Sequence, residues 1–126
     1  MLGRKEGTFV QTILIVEDSP DTATMMQFAL CSKGCRAHTA NSRDEALEFI
    51  KADGAPDAII MDFNMPGMSL GDFLRHLAEV SPHLPRLILS TAGQEADDTA
   101  RRYNIPEVLR KPFDPANLLA QVDGCK

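Results

Sequence analysis

Residues 13–20 read Ile13-Leu14-Ile15-Val16-Glu17-Asp18-Ser19-Pro20, an apolar run that stops on two adjacent carboxylates. A short β-branched run closed by a turn signal predicts a strand buried on both faces of a parallel sheet. The pattern returns at residues 58–62, where Ala58-Ile59-Ile60-Met61 ends on Asp62. If both are parallel strands, Glu17, Asp18 and Asp62 share the carboxyl edge of the sheet, where open α/β folds hold their ligands. Three carboxylates gathered there would raise one another's pKa unless a cation neutralised them. The economical expectation is a divalent metal site containing a reactive carboxylate.

Working outward from these two segments, apolar runs alternate with helical patterns along the chain. Residues 12–16 predict the first strand, and Ser19-Pro20 leads into a helix, since proline suits a first turn. Ala23, Met26, Ala29 and Leu30 give that helix a core stripe, and Gly34 supplies its C-cap. A second strand is expected over 36–39. The helix after it opens on Ser42-Arg43-Asp44-Glu45, a capping box in which Ser42 and Glu45 satisfy free amides. Strands are further expected over 58–61, 87–90 and 107–110, with helices over about 70–80, 94–103 and 115–122. Five strands and five helices in strict alternation, joined by right-handed crossovers, predict an α/β three-layer (βα)5 sandwich. A strand order of 2-1-3-4-5 would bring Glu17, Asp18 and Asp62 together at the switch point of the sheet.

At 126 residues the chain fits one domain, with residues 1–11 as a lead-in and 12–124 as the folded unit. Its net charge of -5 and lack of a basic stripe argue against direct binding of nucleic acid. No apolar run reaches membrane-spanning length, and residues 1–11 lack a signal-peptide core, so the expectation is cytoplasmic, with no membrane partner. Cys31, Cys35 and Cys125 form an odd set and are expected to be reduced thiols. His38, His76 and His83 show no metal-ligand spacing. Phe28 is expected to pack at the edge of the first helix's stripe; the alternative is an exposed docking residue.

An aspartate can accept a phosphoryl group as a nucleophile when the group is positioned and its charge neutralised. The strand ends offer what that chemistry needs. Glu17 and Asp18 can hold Mg2+, which favours carboxylates and water. Lys111, past the fifth strand, is a compact point charge able to reach a carboxylate or phosphoryl oxygen. Thr91 supplies a hydroxyl at the end of the fourth strand, beside the amide of Ala92.

The segments ILIVEDSP, DAIIMDFNMPGM, LILSTAG and VLRKPFD, in this order, resemble the receiver domain of two-component response regulators, the single-domain type related to the chemotaxis regulator. The resemblance covers about residues 12–122 and implies a flavodoxin-like sheet. It implies that Asp62 is the phosphoacceptor, that Glu17 and Asp18 serve Mg2+, and that Asn64 adds a backbone carbonyl to the metal. It further implies that Thr91 is the switch hydroxyl, that Lys111 pairs with the phosphoryl group, and that Lys111-Pro112 is a cis peptide. The chain departs from the family pattern in several places, among them Glu17 for the commoner aspartate and a slightly short segment between Thr91 and Lys111. Val108 stands where an aromatic switch residue is usual, and Leu70-Gly71 replaces a glycine at the start of the third helix.

The implied function is a phosphorylation switch in two-component signal transduction, receiving its phosphoryl group from a sensor histidine kinase or histidine phosphotransfer protein. On this reading the chain is no enzyme beyond catalysing its own phosphorylation and dephosphorylation. Output or homodimer contacts are expected on the helix 4–strand 5–helix 5 face, which carries Asp97, Asp98, Arg101, Arg102, Glu107 and Arg110. Taken singly, Asp18 and Asp62 would be helix N-caps, Thr91 a turn residue and Lys111 a solvated lysine; their joint placement at four strand ends argues for a site. A haloacid-dehalogenase-like phosphatase would want an Asp-x-Asp nucleophile after the first strand, where this chain has Glu17-Asp18-Ser19. A nucleotide binder would need a Gly/Ser/Thr-rich phosphate loop there. The remaining alternative is a degenerate receiver acting only as a protein-binding module.

Overall fold

The structure, a computed structural model, describes residues 10–92 and 95–122 of the chain. Ten elements alternate: β1 (Thr12–Val16), α1 (Pro20–Ser32), β2 (Arg36–Ala40), α2 (Arg43–Asp53), β3 (Ala58–Asp62), α3 (Leu70–Val80), β4 (Arg86–Thr91), α4 (Glu95–Arg102), β5 (Glu107–Arg110) and α5 (Pro115–Val122). The strands form one parallel sheet of order β2-β1-β3-β4-β5, the expected flavodoxin-like topology. Strands β2, β3 and β4 run slightly beyond their predicted ends, so that Asp62 and Thr91 are the last residues of β3 and β4. Most of the lead-in expected over residues 1–11, the start of the fourth helical pattern at Gln94, and the end of the domain at 123–124 lie outside the described residues.

Alternation along each strand divides the core into two layers. Leu14, Val16, Ile59, Met61 and Leu89 pack against Leu47, Ile50, Phe73 and Leu77 of α2 and α3, with Ala100 of α4. Ile13, Ile15, Ile60, Ile88 and Leu109 pack against Met26 and Leu30 of α1 and Leu118 and Val122 of α5. Burying the central strands on both faces explains their near-continuous apolar runs.

The local signals act as their chemistry dictates. Ser19 caps α1, Ser42 caps α2 by accepting from Glu45 N at 3.0 Å, and Ser69 caps α3. Glu45 Oε1 in turn accepts from Asn41 N at 2.5 Å, one residue before the cap rather than at the Ser42 amide. Helix α1 ends on Gly34 at φ 93°, with Gly34 N donating to Cys31 O and Cys35 N to Leu30 O. Helix α4 ends in the same way on Asn104, whose φ of 58° suits a side chain that tolerates left-handed backbone.

Two expectations are corrected. Cys35 is disulfide-bonded rather than a reduced thiol, whereas Cys31 is free and exposed, and Cys125 lies outside the described residues. Phe28 is 76% exposed and does not pack at the edge of the α1 stripe. It lies two residues from buried Met26, roughly 200° around the helix, which puts it on the opposite face. Among the described residues, no helix is long and apolar enough to cross a membrane.

Candidate functional site

The parallel register delivers the predicted residues to one edge. Val16 pairs with Met61, so Glu17 and Asp62 leave β1 and β3 at the same level, and Asp62 pairs in turn with Ser90 of β4. One ligand oxygen from each of Glu17, Asp18 and Asp62 lies within 4.8 Å of the others. Glu17 and Asp62 are buried, at 3% and 6% exposure, and Asp18 faces solvent. Two interior carboxylates with a third at the rim leave one side open to water or a ligand.

Lys111 follows β5 and closes the far side. Its Nζ is 3.3 Å from Glu17 Oε1 and 3.3 Å from Asp62 Oδ1. A backbone bond runs here from Lys111 N to Thr91 O at 2.7 Å, and the Lys111-Pro112 peptide is cis. Glu17 is held at both oxygens, since Ser19 N donates to Oε2 at 3.2 Å. Asn64 N donates to Asp62 Oδ1 at 3.3 Å, which folds the start of the β3–α3 loop over the carboxylate. Thr91 is fully buried at the end of β4, between the strands that carry Asp62 and Lys111.

Burial pushes the Glu17 carboxyl above its ordinary pKa, and the neighbouring Asp62 carboxylate raises it further. The Ser19 amide and the Lys111 ammonium act against that rise without cancelling it. A carboxylate destabilised in this way is what a hard dication would relieve. The donor set, carboxylate oxygens with an open solvent side, fits Mg2+. Glu17, Asp18 and Asp62 would hold it.

Val108 is half-buried against the first core layer. A shallow groove of about 350 Å³, lined by Asp97, Ala100, Arg101, Asn104, Ile105, Pro106 and Val108, lies between α4 and β5. At the altered start of α3, Leu70 is buried, and Gly71 faces Tyr103. A Cβ added at Gly71 would sit 2.9 Å from Tyr103 Oη.

Sequence reasoning missed Arg43. Only 3% exposed, its guanidinium reaches under the β3–α3 loop and donates to the carbonyls of Asp62, Phe63 and Met68. The signal was present, because Arg43, Ala46, Leu47 and Ile50 follow the i, i+3, i+4, i+7 spacing of the buried α2 stripe. Ser90 was also passed over; it is 1% exposed, and its Oγ lacks a hydrogen-bond partner among the described residues.

The family described as "Response regulator receiver domain" matches residues 13–123. The chain is 35% identical over 120 residues to the regulatory protein AtoC of Escherichia coli, covering 90% of this chain and 25% of AtoC. It is 30% identical over 113 residues to the phosphate regulon transcriptional regulatory protein PhoB of the same organism, covering 87% of this chain and 49% of PhoB. The chain thus spans a quarter and about half of these two relatives. Among solved structures, chemotaxis protein CheY4 of Vibrio cholerae superposes with a TM-score of 0.80 at 26% identity, covering 90% of this chain and 97% of that one. The topology, the clustered acids and the match over nearly its whole length together establish that the chain belongs to the response regulator receiver domain family.

Proposed function

We propose that Asp62 accepts a phosphoryl group from a phosphohistidine donor in a Mg2+-dependent reaction, and that the acyl phosphate so formed switches the domain between two states. As a receiver domain the chain is a signalling module of two-component systems, a class that interacts with histidine kinases or phosphotransfer proteins and with output domains. The observation that carries the finer reading is the position of Lys111 Nζ, 3.3 Å from the carboxylates of both Glu17 and Asp62, beside three clustered acids.

A carboxylate oxygen of Asp62 attacks phosphorus, forming the new P–O bond as the P–N bond to the donor imidazole breaks. The imidazole nitrogen keeps the electron pair. Mg2+, when bound by Glu17, Asp18, Asp62 and the Asn64 carbonyl, supplies charge neutralisation at the phosphoryl oxygens. Lys111 stabilises the same oxygens from the opposite side as a preorganised cation. In the return reaction water attacks phosphorus, the bond to Asp62 breaks, and inorganic phosphate leaves the free carboxylate behind. Thr91 is the hydroxyl positioned to answer the new charge, biasing β4, α4, β5 and α5. With Val108 in the aromatic position, that bias reaches the surface through packing along α4 and β5 rather than through a rotating ring.

The reaction is assigned to the cytoplasm, with a sensor histidine kinase or histidine phosphotransfer protein as donor. Exposed Phe28 on α1 supports docking of such a partner beside the active edge. A groove of about 410 Å³ on that side, lined by Met25, Lys111 and Phe113 among others, also supports it. The α4–β5–α5 face is assigned to output or self association. Incubation with acetyl phosphate or phosphoramidate and Mg2+, followed by intact mass measurement, tests the chemistry. One adduct on the wild type and none on Asp62→Asn is the expected result. No adduct on the wild type would leave a receiver that acts by protein binding alone, and an adduct persisting in Asp62→Asn would place the phosphoryl group on a residue other than Asp62.

A further inference from the structure

Arg43 is the first residue of α2, a position where the helix dipole disfavours a cation, and it is nine-tenths buried as well. Burial pushes its pKa below the ordinary value, while the Asp62 carboxylate acts to restore it. A residue that breaks two local rules is held by what it contacts. Its Nε donates to Met61 Sδ at 3.4 Å, one terminal nitrogen to Met68 O at 2.8 Å, and the other to Asp62 O and Phe63 O, both at 3.1 Å. These acceptors are the last two residues of β3, the first residue after it, and the residue preceding the Ser69 cap of α3. The guanidinium therefore ties down both ends of the loop that contains Asn64. The three bonds to Asp62, Phe63 and Met68 point to main chain, so they fix loop geometry whatever side chains the loop carries.

We propose that Arg43 is a positioning residue for the phosphorylation site: by clamping both ends of the β3–α3 loop it sets the orientation of Asp62 and of Asn64 toward the incoming phosphoryl group and its cation. This rests on Asp62 being the phosphoacceptor. Lysine cannot replace it, because one ammonium on a flexible stem cannot serve carbonyls at the two ends of a loop as a rigid planar fork does.

The test compares wild type, Arg43→Lys, Arg43→Gln and a control, Val122→Ala. The control trims a fully buried residue of α5, in the core layer on the opposite face of the sheet. All are studied below their unfolding transitions, with Arg43→Lys carrying the test should Arg43→Gln not fold. Three quantities are read: amide hydrogen exchange of residues 63–69 in metal-free protein, Mg2+ affinity by calorimetry, and the rate of adduct formation from acetyl phosphate at saturating Mg2+. Both Arg43 variants are expected to exchange faster in that loop alone, to bind Mg2+ more weakly, and to phosphorylate about tenfold or more slowly, as loss of a residue orienting a metal site does. Val122→Ala is expected to match wild type in all three. Arg43 variants that behave as Val122→Ala does, while the wild type takes up phosphoryl, would overturn the inference alone. A wild type that takes up none would overturn the functional reading and this inference with it.

Discussion

Lys111 Nζ lies 3.3 Å from Asp62 Oδ1 and the same distance from Glu17 Oε1, so one ammonium serves two buried carboxylates. Deleting it leaves both acids facing each other with no ammonium between them. Lys111→Met is expected to lower metal-free stability by about 1–2 kcal/mol, less than for a fully buried pair because Lys111 is partly solvated. Urea unfolding with and without Mg2+ checks this, and the deficit should shrink when Mg2+ is present. The rate of adduct formation from acetyl phosphate should fall about 100-fold, the scale for loss of one preorganised charge at a reacting centre.

Asp62→Asn removes the nucleophile and one of the two buried charges that repel at the site. Glu17 then loses the like-charge neighbour that raises its pKa. The variant is expected to form no adduct yet to melt at a higher temperature than wild type in EDTA. The order should reverse with Mg2+, since a ligand that binds only the native state stabilises by mass action, by about 2.7 kcal/mol at 100 times its Kd. Thermal scans of both proteins in EDTA and in Mg2+ decide it; a lower midpoint for Asp62→Asn in EDTA would contradict the repulsion.

Far from this edge, Arg86 pairs with Glu107 through two bonds of 2.5 and 2.6 Å and also donates to the carbonyls of Gln121 and Val122. The Arg86 bond holds the Glu107 carboxyl below its ordinary pKa despite partial burial. A depressed folded pKa adds stability above the unfolded value, near 4.3, and that stability is lost as pH falls through the folded value. Glu107→Gln should therefore cost about 1 kcal/mol at pH 7, discounted for partial exposure, and the gap should close below about pH 4. Urea titrations of both proteins across that range measure the gap directly.

Phe28→Ala removes an exposed ring and should change stability by no more than about 0.5 kcal/mol. Adduct formation from acetyl phosphate should be unaltered. Transfer from a cognate phosphohistidine protein should slow, and unchanged transfer in a stopped-time assay would remove Phe28 from the docking surface.

The elements were legible because buried parallel strands write themselves as unbroken apolar runs and because Ser19, Ser42 and Gly34 mark helix ends with unambiguous chemistry. The acids were legible because each falls at a strand end. Arg43 escaped because Ser42-Arg43-Asp44-Glu45 reads as a capping box, and attention to its ends conceals the member that turns inward. Phe28 was misread by residue type, although its angular position on α1 already placed it opposite Met26. Cys35 was misread because an odd set of three cysteines leaves no spacing signal for a pairing. Nothing local could show that Lys111 faces both Glu17 and Asp62, since that contact depends on the register of β1, β3 and β5 together.

The clustered carboxylates of Glu17, Asp18 and Asp62 face the single ammonium of Lys111. With all four ionised, this quartet falls short of electroneutrality by the charge of one dication. A bound Mg2+ would bring it to balance. Converting the Asp62 carboxylate to an acyl phosphate exchanges one negative charge for about two, tipping the balanced site back by a single unit. On the proposed reaction, the signal at its source is thus one surplus electron charge on a quartet otherwise balanced by the dication, and whatever moves next is the cheapest group able to answer it.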